Sequence, residues 1–329
     1  MTTSENISRT TAEGTLPAAA EAKPRRAAKP IVAVGSSYKK SKPATLVLSY
    51  VILVIAVLFS VYPIYYAFLA SIRPGNQLVT GNVIDIFIPR EITLQNYQEM
   101  LVDNRFPTTD RAAGQIKFWR WLGNSVLVAS LTAVISMMIA LPTALALSRF
   151  RFAGRRGLLI GLFVLQSFPG VLFIVPYINI LRAMGVYGQW LGLVVAYSAG
   201  GIVFTAWNMK GYFDTIPVEI EESAMIDGCN VLQSFLRVLL PLSIPAIAVT
   251  IFFNFQRGWT DFFLASVLIP SPDSANTLPV ALRRLANDRA VPWGNFAAAS
   301  MLIMIPSALI FAYVQRFLQS GLTVGGVKG

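Results

Sequence analysis

Long apolar stretches alternate with short polar segments along most of the chain. A helix of about 20 residues crosses the roughly 30 Å hydrocarbon core of a bilayer. Each stretch is also far longer than a barrel strand, so helices are the structure that satisfies its backbone in lipid. The pattern predicts an all-α integral membrane protein with six transmembrane helices, placed at Ala44–Ala70, Trp121–Leu147, Leu158–Leu181, Trp190–Met209, Leu240–Leu268 and Phe296–Leu318. Prolines 142, 169, 176 and 306 fall inside these spans and are interpreted as kinks.

The arginines between the second and third spans indicate which side of the membrane each loop faces. Ser148–Gly157 is short and holds four arginines, at positions 149, 151, 155 and 156. Short loops rich in Lys and Arg are typically cytoplasmic. Counting crossings from this loop places both termini and the segment 210–241 on the cytoplasmic side. The long loop 71–120, a short loop near Gly185–Gln189 and the loop Pro270–Asn295 then lie outside.

The first 42 residues differ from the rest of the chain. They are polar, rich in Ala, Pro, Lys and Thr, and lack the apolar core of a signal peptide. We interpret residues 1–42 as a disordered, basic cytoplasmic tail and residues 43–329 as the transmembrane domain. Nucleic-acid binding is disfavoured, because no aromatic residues interleave with the basic ones.

Composition excludes several kinds of chemistry. The chain is 55% hydrophobic and 13% charged, with a net charge of +11, no histidine and one cysteine, Cys229. Catalytic histidines are therefore excluded, and zinc and haem sites are disfavoured. No GxxxxGK[ST] phosphate loop occurs. The sequence predicts a non-enzymatic chain that binds no cofactor of its own.

A dense acidic cluster, "EIEESAMIDG", precedes the fifth span on the predicted cytoplasmic side. Pro217 suits the first turn of a helix, and Glu219, Glu221 and Glu222 would then offset the dipole at its N-terminus. Gly228 would end that helix, and a second amphipathic stretch follows over 231–239. The pattern predicts a helix, a tight turn and a second helix at the membrane surface. An ordinary amphipathic connector is the alternative to a partner-binding element, but anionic headgroups repel acids, which favours a partner.

The same segment resembles the cytoplasmic loop of ABC importer permeases, which reads E-A-A-x-x-x-G, nine residues, then I-x-L-P. Glu222, Ser223 and Ala224 stand for E-A-A, Gly228 for the glycine, Val238 for the isoleucine, and Leu240–Pro241 for L-P. Ser223 and Val238 depart mildly from the motif. In that family the loop forms a coupling helix that sits in a cleft of a separate ATPase subunit. The resemblance implies that Glu222 pairs with an ATPase arginine, that Gly228 makes the turn, and that the wider coupling set is Glu222, Ser223, Ala224, Asp227, Gly228, Leu240 and Pro241.

Other segments resemble the second permease subunit of carbohydrate importers, and the C-terminus is most similar to the maltose/maltodextrin branch. These are "IPREITLQNYQEM" at 88–100, "TLPVALRRL" at 277–285 and "QRFLQSGLTVGGVKG" at 315–329. The resemblance spans Pro43 to Gly329. It implies a type I ABC importer permease fold in a bacterial cell membrane, and transport of maltose, maltodextrin or a related oligosaccharide.

The resemblance also implies partners and contacts. The partners are a second permease subunit in a heterodimer, a dimer of ATPase subunits that holds ATP and Mg²⁺, an extracytoplasmic sugar-binding protein and membrane lipid. The tail 319–329 would reach between the ATPase subunits through Gly325, Gly326 and Lys328, although a merely flexible end remains the alternative. The loop holding Asn276 and Thr277 would contact the binding protein.

Polar residues within the predicted spans are candidates for a transport pathway, because such residues are costly in lipid and usually face an interior. The candidates are Gln166, Asn254, Gln256 and Asp261. Arg257 and Asp261 are one helical turn apart and could pair; internal satisfaction within the protein and the lining of a polar pathway are the two interpretations of these residues. An ion-coupled secondary transporter is the alternative function, but the spans offer it few other ionisable groups. A membrane enzyme is disfavoured, since no nucleophile–base pair is evident.

Overall fold

A computed structural model describes residues 43–75, 87–89, 91–103, 118–270, 275–285 and 291–325. The chain divides into two units, residues 1–55 and residues 56–329. In the first unit the described residues, 43–55, form the first part of one helix and are exposed. Every contact discussed below lies within the second unit. The predicted tail over 1–42 lies outside the described residues.

The described chain is helical. The helices are α1 Pro43–Ser71, α2 Gln95–Leu101, α3 Phe118–Arg149, α4 Arg155–Ser167, α5 Ile174–Ala183, α6 Trp190–Phe213, α7 Val218–Ile226, α8 Val231–Ser234, α9 Leu240–Leu242, α10 Ile244–Thr260, α11 Phe263–Leu268, α12 Leu278–Leu285 and α13 Trp293–Gly325. A 3₁₀ turn, Gly170–Phe173, joins α4 to α5, and a π-helical turn, Phe235–Leu239, joins α8 to α9.

The prediction of six spans is confirmed, with a change in the form of two of them. Among the described residues, α1, α3, α6 and α13 are each long and apolar enough to cross a membrane, and two bent pairs raise the number to six if each pair crosses once. The predicted third and fifth helices are these bent pairs. The axis turns by 101° between α4 and α5, and by 78° between the segment ending at Leu242 and α10.

Prolines and a capping carboxylate explain the breaks. Phe168, which precedes Pro169, has an extended backbone that ends α4, as expected for a residue before proline. Pro245 lies in the first turn of α10, where its missing N–H is tolerated. The predicted fifth helix breaks again after Thr260, because the Asp261 carboxylate accepts the backbone N–H groups of Leu264 and Ala265 and so begins α11. Pro142 and Pro306, in contrast, lie inside continuous helices.

Small residues allow α3, α6 and α10 to pack closely in the centre of the second unit. An added Cβ at Gly258 of α10 would lie 2.9 Å from the Cα of Ala129 in α3. A Cβ at Gly201 of α6 would collide with Ser136 Oγ and lie 2.6 Å from Asn254 Oδ1. These distances leave no room for a side chain, and close backbone approach at small residues is the usual basis of helix packing in membranes.

Replacing Gly201 with alanine is therefore expected to lower the thermal stability of the purified protein. Alanine is favoured over glycine in a helix by about 1 kcal/mol. A lower thermal stability of Gly201→Ala would therefore show that the steric clash outweighs this gain. Gly211→Ala in the same helix is the control, since an added Cβ there meets nothing within 4 Å. Thermal unfolding in detergent, followed by the loss of monodisperse protein, should rank Gly201→Ala below wild type and Gly211→Ala at or above it. Equal midpoints for the two variants would contradict this packing.

The α2 and α12 helices cover the end of the unit where α3 and α13 begin. Phe118 and Trp121 of α3 pack against Leu278 and Ala281 of α12. Asn96 of α2 is buried, and its Nδ2 donates to the backbone oxygens of Ser71 at 2.9 Å and Arg73 at 3.2 Å. The segment over 88–100 that resembles carbohydrate permeases thus holds the end of α1 in place.

Candidate functional site: a surface helix pair and a membrane cavity

The acidic segment folds as a helix, a tight turn and a second helix, as predicted. Gly228 has φ of +94°, and the N–H groups of Gly228 and Cys229 donate to the backbone oxygens of Met225 and Ala224. This is the Schellman arrangement that closes a helix C-terminus. Asn230 then caps α8: its side chain accepts the N–H of Gln233, and the Gln233 side chain accepts the N–H of Asn230. Hydrogen bonds therefore define both sides of the turn.

Replacing Gly228 with valine is expected to strain the backbone of the turn without creating a steric clash. An added Cβ meets nothing within 4 Å, so the cost is conformational: a left-handed residue other than glycine costs roughly 1–2 kcal/mol, and more when β-branched. Gly228→Asn is the matched control, because asparagine tolerates this region. If the segment is the coupling loop that the resemblance implies, transport by a reconstituted complex should fall several-fold for valine and stay near wild type for asparagine. Equal activity of both variants would show that the turn does not need its left-handed residue.

Glu221 joins the helix pair to the end of α3. Its carboxylate accepts the Arg149 Nε–H at 2.7 Å, and the two side chains are only 8% and 12% exposed. Arg149 Nη2 also donates to the backbone oxygen of Ile216 at 3.0 Å. The Arg149 loop and segment 210–241 thus lie at the same end of the unit. Sequence reasoning assigned Glu221 only to the helix dipole; the structure adds this ion pair.

A second polar link supports the same junction. The Ser148 hydroxyl donates to Asp214 Oδ1 at 2.7 Å, and Lys210 Nζ donates to Asp214 Oδ2. Burial alone would raise the pKa of the Asp214 carboxyl, but the hydrogen bonds from Lys210 and Ser148 outweigh it, and the pKa lies below its usual value. Asp214 is consequently ionised at neutral pH, and these links are lost only as the pH falls through that lowered pKa.

The far end of the helix pair packs into the core. Phe235 and Leu239 of the π-helical turn are buried against Met209 and Phe213 of α6. Leu240 packs at the edge of the same cluster, and Pro241 is exposed. Proline lacks the backbone N–H that a helix uses as a donor, and the π-helical turn Phe235–Leu239 ends two residues before Pro241. The helix pair is therefore fixed to both α3 and α6.

The outward surface of the helix pair is acidic and apolar at once. Glu222, Ser223 and Asp227 are exposed, and Ala224 is half-buried. Ile226 is 87% exposed and Leu232 is 62% exposed. Apolar residues of this size, exposed beside carboxylates on a short connector, are typical of a protein contact surface.

The structure describes both predicted contact residues at the opposite end of the unit, but only part of the C-terminal tail. Asn276 and Thr277 are each 1% exposed, and the backbone oxygen of Asn276 accepts Asn124 Nδ2–H. Both side chains are buried in this conformation, and their contact with a binding protein stays a prediction. The last helix continues past the predicted end to Gly325, whereas Gly326 and Lys328 lie outside the described residues.

The four polar candidates within the spans separate into two groups. Asn254 is fully buried and donates to Thr205 Oγ1 at 2.7 Å, and Gln256 Oε1 accepts the Ser307 hydroxyl at 2.9 Å. These two side chains join neighbouring helices. Gln166 and Asp261, in contrast, line one cavity of about 600 Å³ together with Arg257.

Arg257 and Asp261 do not form the ion pair that their spacing allows. Asp261 Oδ1 instead accepts the Tyr197 hydroxyl at 2.8 Å and the N–H groups that begin α11. Because α10 ends at Thr260 and the Asp261 backbone is extended, the two residues do not share a helical turn. The i,i+4 rule failed because the helix on which it depends is interrupted.

The sequence of the chain matches a known protein family and several known proteins. Residues 134–324 match the family described as "Binding-protein-dependent transport system inner membrane component". The chain is 35% identical over 298 residues to the maltose/maltodextrin transport system permease protein MalG of Salmonella typhimurium, covering 88% of this chain and 98% of the relative. It is also 35% identical over 286 residues to the galactooligosaccharides transport system permease protein GanQ of Bacillus subtilis, covering 86% and 96%.

Solved structures share the fold. One chain of a bacterial ABC transporter involved in the import of the acidic polysaccharide alginate superposes with a TM-score of 0.69 at 24% identity, covering 85% of this chain and 98% of that one. A chain of the MetNI methionine ABC transporter superposes with a TM-score of 0.51 at 17% identity, covering 61% and 94%. At these identities the likeness concerns the fold alone.

Proposed function

The chain belongs to the family of binding-protein-dependent transport system inner membrane components, and from this membership we propose that it is the permease subunit of an ATP-driven sugar importer. The substrate that we propose is a neutral oligosaccharide such as maltose, a maltodextrin or a galactooligosaccharide. Support comes from two relatives at 35% identity, MalG and GanQ, whose names give sugars of this kind.

The observation that carries the proposal is the outward surface of the helix pair α7–α8. It presents Glu222 together with Ile226, which is 87% exposed, on a connector outside the membrane-spanning helices. A cleft with a basic group and an apolar floor on an ATPase subunit would complement this surface. Glu222 would pair with an arginine there, and the coupling set would extend over Ser223, Ala224, Asp227 and Gly228, with Leu240 and Pro241 at the return to the membrane.

The internal contacts of the helix pair give a route for coupling. The Arg149–Glu221 ion pair connects α7 to α3, while Phe235 and Leu239 connect the following turn to α6. A movement of the ATPase that displaces α7 would therefore displace both central helices with it. Such a rigid transfer between two arrangements is the form that domain switching usually takes.

The remaining features of the proposal concern partners and orientation. We place both termini and the Arg149 loop in the cytoplasm of a bacterial cell, because the positive-inside rule applies to that loop. A second permease subunit, two ATPase subunits that hold ATP and Mg²⁺, and an extracytoplasmic sugar-binding protein complete the importer. The chain itself is proposed to bind no cofactor and to catalyse no reaction, and the end of α13 is proposed to approach the ATPase subunits.

Purification from the membranes of a native host tests the assembly. A tagged chain solubilised in mild detergent should carry ATPase activity, and native mass spectrometry should give a complex of this chain, a second permease subunit and two ATPase subunits. A chain that purifies without any ATPase subunit, while still supporting sugar uptake in the same cells, would contradict the proposal and favour a secondary transporter.

A further inference from the structure

Arg257 lies in the last turn of α10, and its guanidinium group packs against the middle of α6. An ideal Cβ at Gly200 would lie 2.7 Å from the Arg257 Nη1, so the guanidinium packs directly on that glycine. Gly200 is near the middle of the 24-residue helix α6, which is a candidate span. Arginines near helix ends extend their heads toward the interface, whereas this head is directed at the midpoint of a neighbouring helix.

The charge of Arg257 is not neutralised by an ion pair within the described part of the chain. Its nearest candidate partner in sequence, Asp261, uses Oδ1 for the Tyr197 hydroxyl and for two backbone N–H groups of α11. A charged group within the hydrocarbon region costs several kcal/mol unless it faces water or a polar ligand. Arg257 is exposed in the described chain, and a hydrated or ligand-filled space around the guanidinium would remove this cost.

Arg257 adjoins such spaces. Three cavities, of about 600, 380 and 180 Å³, each have Arg257 in their wall. The 380 Å³ cavity also contains Phe168 and Gly170, at the sharp break between α4 and α5. Irregular backbone at membrane depth is tolerated where it is buried in protein or lines a cavity. The break and the charge thus point to the same cavity system.

Aromatic faces form much of the remaining wall. Phe204 and Phe253 stand edge to face, with ring centroids 6.0 Å apart, and both line the 600 Å³ cavity. Tyr177 lines the two smaller cavities. Gln166 adds an amide to the two larger cavities, and Asp261 adds a carboxylate to the largest and the smallest. The cavities together combine hydrogen-bond donors, acceptors and flat apolar faces.

We propose that these cavities form a sugar subsite of this permease, in which Arg257 donates hydrogen bonds to the hydroxyl groups of a neutral oligosaccharide. The proposal rests on the proposed function, and it names the residue that contacts the transported sugar. A guanidinium offers five N–H donors in a fixed plane, and the aromatic faces suit the C–H surface of a sugar ring. Hydroxyl groups replace water around the charge and so lower the cost of keeping it in the membrane.

Neutral sugars fit the site better than acidic ones. Asp261 lies in the wall of two of the three cavities and would repel a carboxylate. A transport pathway also requires binding that is weak enough for release, whereas an arginine–carboxylate pair shielded from water holds strongly. Arg257 and Asp261 do not pair with each other, so the guanidinium offers donors and the carboxylate offers an acceptor to the hydroxyl groups of a neutral sugar.

Uptake by the full complex in proteoliposomes tests the subsite. The wild-type complex is first screened for ATP-dependent uptake of maltose, maltotriose and a galactooligosaccharide, and the accepted sugar becomes the probe. Arg257→Ala should lower the uptake rate about tenfold or more. Arg257→Lys should give a rate between those of wild type and Arg257→Ala, since lysine keeps the charge but loses the planar donors. Arg182→Ala is the control, because Arg182 packs over Tyr187 in a different place and should transport normally.

Thiol labelling separates a subsite from a structural role. Since Cys229 is the single cysteine, a Cys229→Ser background gives a cysteine-free chain. In that background, Arg257→Cys should react with a charged, water-soluble methanethiosulfonate reagent, and the transported sugar should slow the reaction. Phe59→Cys is the control. Phe59 is 82% exposed on the isolated chain, in the middle of the apolar helix α1. A cysteine there would face lipid, so the water-soluble reagent should not reach it.

The outcomes distinguish the subsite from the proposed function. If the wild type takes up no sugar with ATP, the importer assignment itself fails. If the wild type transports but Arg257→Ala stays within twofold of it, or if the cysteine at 257 is unreactive or not protected, the subsite is wrong. A wild type that prefers a uronic-acid oligosaccharide, with that preference lost in Arg257→Ala, would overturn the assignment to neutral sugars.

Discussion

Replacing Glu222 with lysine is expected to abolish association with the ATPase subunits while membrane insertion stays intact. Glu222 is exposed beside the exposed apolar side chains of Met225 and Ile226. A lysine there would place a positive charge against the ATPase arginine that we propose as its partner. Reversing one charge of a close interfacial pair leaves two like charges together and costs several kcal/mol, which corresponds to a loss of more than a hundredfold in affinity.

Glu219 provides a matched control on the same helix. It is also exposed and lies in the first turn of α7, but it does not occupy the glutamate position of the family motif. Co-purification of the ATPase should therefore be lost in Glu222→Lys and retained in Glu219→Lys, with equal amounts of each variant in the membrane. Retention of the ATPase and normal transport in Glu222→Lys would show that another surface makes the contact.

Breaking the Arg149–Glu221 pair is expected to uncouple ATP hydrolysis from transport without removing the ATPase contact surface. The two side chains are 12% and 8% exposed, and loss of one partner from a buried pair costs about 3–5 kcal/mol. Arg149→Glu should be the more severe change, because it also removes the donor to the Ile216 backbone oxygen. We expect each single variant to lower transport by at least tenfold in a complex that still contains the ATPase.

The reversed pair tests whether the two residues act together. Arg149→Glu combined with Glu221→Arg restores opposite charges, although the link to Ile216 is not restored, so recovery of transport should be partial. A double-mutant cycle measures this coupling directly. If transport by the double variant is lowered by the product of the two single-variant factors, the two residues contribute independently. The proposed route from α7 to α3 is then not supported.

The sequence alone predicted the local features of the helix pair. The helix, the glycine turn and the second helix all follow from residues close together in the chain, as does the end of the helix at Gly228. The capping interaction between Asn230 and Gln233 was missed, although an asparagine followed three residues later by glutamine is its signal. The prediction for Glu222 as the contact residue is still untested.

Contacts between distant residues were beyond prediction from one sequence. Glu221 and Arg149 are 72 positions apart, and Arg149 was interpreted only as a topology signal. Likewise, hydropathy detected the third and fifth spans but not their breaks, because apolar residues continue through them. Pro169 marked a break and Pro142 did not, and the difference depends on what surrounds each proline. The packing of the Arg257 guanidinium on Gly200 in the middle of α6 also became apparent only from the structure.

The source of energy for uptake tests the central claim most directly. Proteoliposomes containing the purified complex and its binding protein are supplied with ATP inside or with a proton gradient alone, and uptake of radiolabelled oligosaccharide is measured. The account predicts uptake that requires ATP, persists when ionophores dissipate the gradient, and disappears with Glu222→Lys. Uptake that continues without ATP and stops when the proton gradient is removed would contradict it.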